Sequence, residues 1–165
     1  MEPNFHALQL IAEIALGIVG FSAILIGLSR TNDGFSQADT FRIQLLTYSA
    51  FGAMFCALIP FAIYNKENIV LSWAVISWVL CIFSAVGLLI FPQRMLSLRK
   101  KGYQNIFPLK LFFFQVGILS ANFVLSWMMI LGYISALANF YVGCLILFLI
   151  QSTMAFIRTL FVRVG

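Results

Sequence analysis

The chain has 165 residues, 62% of them hydrophobic and 9% charged, with a net charge of +5; a soluble domain carries roughly 25% charged residues. Once the apolar runs are set aside, no stretch remains that could build a soluble domain, so one membrane domain is expected. The positive charge sits in short loops between apolar runs, which argues against a nucleic-acid partner.

Five runs reach the roughly 20 residues that a bilayer-spanning helix needs. They fall near 7–28, 43–63, 69–90, 111–131 and 138–157. The reading is therefore an all-α integral membrane bundle of five transmembrane helices, occupying 1–165 as a single transmembrane domain. The residues before the first run, Met-Glu-Pro-Asn-Phe-His, include no basic side chain. That argues against a cleaved signal peptide, which needs a positive leading region and a shorter apolar core.

The first span carries one charge, Glu13. On a helix, Glu13, Gly17, Gly20, Ile24 and Gly27 follow at steps of 4, 3, 4 and 3, which places them on one face. The expectation is that the other four spans pack around this face, because a carboxyl group in a membrane must meet protein or water. The glycines allow a second helix to approach closely, either within the subunit or in a neighbouring copy.

In the first loop, Asn32-Asp33-Gly34 signals a turn. Ser36 and Asp39 form a capping-box pattern with Asp in place of Glu, so the second helix should begin near Ser36. Asp39 and Arg42 then make an exposed i, i+3 pair. Pro60 is placed to kink or end that helix. Tyr64 to Asn68 reads as a short polar hairpin. The long loop from Pro92 to Lys110 holds Arg94, Arg99, Lys100, Lys101 and Lys110. Its first half is expected to form a short interfacial helix that stops at Gly102. The cluster Arg94, Arg99, Lys100 and Lys101 reads as positive-inside anchoring or as a contact for anionic membrane lipids.

Lys and Arg divide nine to one between the two sides that five spans define, with Lys66 alone on the minority side. The positive-inside rule then puts the N-terminus outside and the C-terminus in the cytoplasm. Tyr64, Trp73, Trp127 and Tyr133 fall near the outer ends of their spans and are expected to form an aromatic belt.

Glu13 lies about 9 Å below the outer end of its span at 1.5 Å per residue. Ser77, Asn122, Ser126 and Tyr141 stand at comparable depth on other spans. Glu13 is expected either to hydrogen-bond to Asn122, Ser126 or a backbone carbonyl, or to serve as an ion or proton site with Asn122, Ser126 and Ser77. The fourth span has a polar face of Gln115, Asn122, Ser126 and Tyr133. The third offers Ser77, Cys81 and Ser84, and the fifth Asn139, Gly143 and Thr153, with Gln151 nearby. Such lines either converge inside one subunit or meet a second copy.

Cys56, Cys81 and Cys144 lie inside apolar runs, without pairing or CxxC spacing, and read as small core residues. The single histidine, His6, precludes paired-His haem ligation and a histidine metal cluster. The chain has no mid-span lysine, Ser/His/Asp or Cys/His set, or phosphate-binding glycine loop. No enzyme, cofactor or metal is expected.

The segments Ala12-Glu13-Ile14-Ala15, Gly17-Ile18-Val19-Gly20-Phe21-Ser22-Ala23-Ile24 and Ala38-Asp39-Thr40-Phe41-Arg42 resemble a group of small bacterial multi-span inner-membrane proteins. The resemblance covers the first two spans and implies a bacterial inner-membrane location, with no activity attached. Together these features favour a small homo-oligomeric ion channel or ion/proton-conducting protein. The alternative is a non-conducting scaffold or accessory subunit that binds a partner helix and anionic lipids. Proton-coupled transport fits less well, because five spans cannot divide into two equal inverted halves.

Overall fold

The computed structural model describes residues 2–28 and 36–161, all helix and connections. The helices are α1 (Phe5–Leu28), α2 (Gln37–Ile63), α3 (Ile69–Lys100), α4 (Leu109–Ile130) and α5 (Leu137–Phe161). All five are long and apolar enough to cross a membrane. The chain is thus an all-α protein with the five membrane-length helices expected. The Asn32-Asp33-Gly34 turn, Arg30 and Arg163 lie outside the described residues.

Helices α2 to α5 form a four-helix ring, in which α2 packs on α3, α3 on α4, α4 on α5, and α5 back on α2. Helix α1 lies outside the ring, in the groove between α2 and α5. It buries Leu8, Ile11, Ala12, Ala15 and Ser22 there. This is the opposite side of the helix from Glu13 and the glycines. The expectation that the bundle packs around the Glu13 face is therefore corrected: α1 has two faces with small residues, and the one carrying Ala12 and Ala15 together with bulky Leu8 and Ile11 fills the groove.

Helix α2 starts as its capping box requires. The Ser36 hydroxyl accepts from the Asp39 N–H at 3.1 Å and donates to the Asp39 carboxylate at 2.6 Å. Asp39 also pairs with Arg42 at 3.3 Å, but the pair is not exposed, since only 3% of the Arg42 side chain is accessible. Pro60 lies inside α2, which ends one turn later with the Tyr64 N–H on the Pro60 carbonyl at 3.0 Å. Helix α3 runs unbroken through Pro92 to Lys100. The expected interfacial helix is thus a direct extension of α3, and Gly102, at φ +99°, ends it in the left-handed conformation that a side chain disfavours.

The two ends of the bundle are closed differently. At the basic end, Phe107 is buried and meets Phe41 edge-on at 5.4 Å. The guanidinium carbons of Arg42 and Arg158 stand 5.7 and 6.0 Å from its ring centre. Arg99 donates to the Phe107 carbonyl and Arg158 to the Ile106 carbonyl, which holds the α3–α4 connection across the end of the bundle. At the other end, Trp73 turns inward against Tyr141 at 5.9 Å, so it belongs to the core and not to an outer belt. Trp127 and Tyr133 are exposed.

Candidate functional site

The exposed face of α1 carries His6, Gln9, Glu13, Gly17, Gly20 and Gly27 in sequence down the helix. Glu13 accepts one hydrogen bond, from the Gln9 amide one turn above, at 2.9 Å. A Cβ built on Gly17, Gly20 or Gly27 meets nothing within 4 Å. The glycines are therefore not used for packing within the subunit. The carboxylate lies on the side of α1 turned away from α2 and α5, apart from Ser77, Asn122 and Ser126. The expected hydrogen bond from Glu13 to Asn122 or Ser126 is not formed, and these residues do not make one site with it. The helical spacing was read correctly; its direction was not, because an apolar neighbour and a lipid tail look alike to the opposite face.

Ser77, Asn122 and Ser126 instead belong to the interior of the α2–α5 ring. Gln115, Asn122 and Ser126 of α4 are buried, as are Ser77 and Ser84 of α3. Tyr133, on the same predicted line, is exposed. On α5 the line Asn139, Gly143 and Thr153 faces away from the core, with Asn139 and Thr153 exposed, and the buried polar residues are Gln151 and Ser152. Ser49 of α2 completes the set. Gly87 fixes the register, since Tyr48 of α2 and Leu119 of α4 both close on it. Ser49, Ser84 and Asn122 each lie within one helical turn of that contact, so they share a layer.

Some of these groups are satisfied locally. Ser126 donates to the Phe123 carbonyl at 2.9 Å, and the Tyr141 hydroxyl to the Cys56 carbonyl at 2.6 Å. Others have no hydrogen-bond partner among the described residues: the hydroxyls of Ser49, Ser77 and Ser84 and both amide atoms of Asn122 and Gln151. A buried polar group left unpaired costs about 1–3 kcal/mol. None of these side chains carries a charge. As uncharged hydroxyls and amides they are donors and acceptors suited to water or to a desolvated cation. Ser49 was not singled out from the sequence; its burial appears only once α2 is packed in the ring.

The basic residues of α3 divide into two groups. Arg99 turns into the α3–α4 connection, as described. Arg94 and Lys101 face α2 across a groove of about 330 Å³, where Arg94 donates to Gln44 and Lys101 to Gln37. Lys100 is exposed. The cluster of buried Arg42 and Phe107 with half-buried Arg158 was missed from sequence, since nothing in the spacing of three residues so far apart signals it. Cys56, Cys81 and Cys144 are buried free thiols. No known protein family, curated protein or solved structure matches the chain.

Proposed function

We propose that the chain is one subunit of a homo-oligomeric membrane protein that conducts an ion or proton, and that the α1 faces of neighbouring copies meet around Glu13. The observation that carries this reading is a carboxylate on the outward side of a membrane helix, bonded among the described residues to Gln9 alone. Facing lipid, an acid costs up to about 3 kcal/mol, the value at the centre of a span. A second protein surface removes that cost, and the open Gly17, Gly20 and Gly27 below it give a close approach. Carboxylates gathered from several copies hold a cation between them or pass a proton, with His6 and Gln9 nearer the membrane surface. In this reading the protein is not an enzyme and needs no cofactor. It lies in a bacterial inner membrane with the N-terminus outside and the basic end in the cytoplasm, as the charge division and the resemblance of the first two spans suggest.

The test is stoichiometry followed by flux. Detergent-purified protein should be an oligomer by native mass spectrometry, and reconstituted liposomes should pass protons or a monovalent cation faster than empty ones. Glu13→Gln should keep the oligomer and change selectivity or pH dependence. A clean monomer sinks the reading, and an oligomer without flux leaves the non-conducting scaffold.

Asn122, Gln151, Ser49, Ser77 and Ser84, buried and unpaired among the described residues, favour a second reading, a path through each subunit. In that case Asn122→Ala alters flux and Glu13→Gln does not.

A further inference from the structure

At the basic end, the first turns of α2 and the last turns of α3 line a groove of about 330 Å³. Phe41 and Leu98 make its buried floor, and Gln37, Thr40, Arg94, Ser97 and Lys101 make its polar walls. Two cations thus face a pocket floored by apolar side chains. Neither forms a salt bridge among the described residues; their partners are amide oxygens, Gln44 for Arg94 and Gln37 for Lys101 at 3.3 Å. The one acid in the first turn of α2, Asp39, is taken by Arg42 and Ser36. The positive end of the α2 dipole points at the same place.

We propose that this groove binds the phosphate headgroup of an anionic membrane phospholipid. A charge-assisted bond from a guanidinium and an ammonium, with hydroxyl and amide donors beside them, suits a phosphodiester. What selects a lipid over a soluble anion is the surface that continues from the groove. The Arg94 face of α3 runs on at four-residue steps through Ile90 and Val86, both exposed, and α2 exposes Phe55 further along the helix. An acyl chain has an apolar track directly beneath its headgroup. Charge alone does not define the site, because Arg99 in the same cluster is spent on the Phe107 carbonyl.

The groove lies on α2 and α3, away from the exposed α1 face, so this proposal stands or falls independently of conduction. The experiment compares purified, delipidated protein with phosphatidylglycerol, with phosphatidylcholine and with inorganic phosphate, by native mass spectrometry and thermal unfolding. The wild type should retain and be stabilised by phosphatidylglycerol in preference to phosphatidylcholine. Arg94→Gln with Lys101→Gln should weaken that binding by about 25-fold, at roughly fivefold per cation. Ser97→Trp, which fills the groove and keeps both charges, should weaken it as well and carries the test if the double variant does not fold. Lys100→Gln and Lys110→Gln should leave it within about twofold. Equal losses in these two controls, or equal stabilisation by inorganic phosphate, would overturn the proposal: the first means diffuse surface charge, the second a soluble anion.

Discussion

A Cβ built on Gly52 runs into the Phe83 ring, and one on Gly87 comes within 3.0 Å of the Tyr48 ring and 3.2 Å of Leu119. At those two positions the glycine is what allows α3 to lie against α2 and α4. Gly52→Leu or Gly87→Leu should therefore destabilise the subunit by about 1–3 kcal/mol or more, as overpacking does. Gly17→Leu and Gly20→Leu meet open space, so they should leave thermal unfolding of the subunit nearly unchanged and instead disrupt assembly. Melting curves and size-exclusion profiles of the four variants separate the two effects; loss of subunit stability in Gly20→Leu would mean that α1 is turned the other way. The same scale decides what Asn122 does. Both its amide atoms are buried without a partner among the described residues, and replacing an unpaired polar side chain by an apolar one of similar volume is neutral or stabilising. Asn122→Leu should keep or raise the melting temperature, and a drop of several degrees would mean that the amide holds a bound water or ion that stabilises the fold.

At the scale of an element, the connection between α3 and α4 behaves as a plug more than as a loop. Phe107 fills the basic end between Phe41 and two guanidiniums, and the chain on either side of it is tied by Arg99 and Arg158. Phe107→Ala should cost about 3–5 kcal/mol, the range for truncating a buried phenylalanine. Phe113→Ala, on a side chain that is 67% exposed, should change the stability in detergent by far less. Equal losses would place Phe107 outside the core. This plug was invisible in the sequence because it joins positions 42, 107 and 158, whereas the start of α2 was legible because its capping box is a local pattern. Gly102 was legible for the same reason: a glycine after a run of basic residues is a local stop signal. Pro92 misled, since a proline in an otherwise apolar helix costs one backbone bond and bends the chain without having to end it. Helix faces fell between these cases. The spacing on α3, α4 and α5 left open whether the polar lines turn inward or outward: Ser77, Ser84, Gln115, Asn122 and Ser126 turn inward, whereas Tyr133, Asn139 and Thr153 are exposed, as is the Glu13 face of α1. Lipid is as apolar as a protein core, so a membrane helix gives little contrast between its two sides. On α5, Gln151 faces in and Thr153, two residues on, faces out.

For the whole molecule, the five membrane-length helices were legible because hydropathy and span length act without regard to which face is buried. The gathering of charge also follows from the alternation of helices: Arg42, Arg94, Arg99, Lys101 and Arg158 collect around Phe41 and Phe107, whereas Lys66 pairs with Glu2 at 2.9 Å at the far end. The fold thus separates one strongly basic end from one nearly neutral end, and the positive-inside rule converts that separation into an orientation. The prediction can be checked without removing the native cysteines, because Cys56, Cys81 and Cys144 are 1%, 3% and 0% exposed and should stay silent to a membrane-impermeant maleimide. Gln104, exposed in the α3–α4 connection, and Lys66, exposed at the other end, are suitable single positions. In intact cells or spheroplasts, Lys66→Cys should label from outside and Gln104→Cys only after the membrane is opened. Labelling of Gln104→Cys from outside would reverse the orientation. Labelling of both from the same side would mean that α3 does not cross the membrane, because the two positions flank that helix, and the five-span bundle itself would fall.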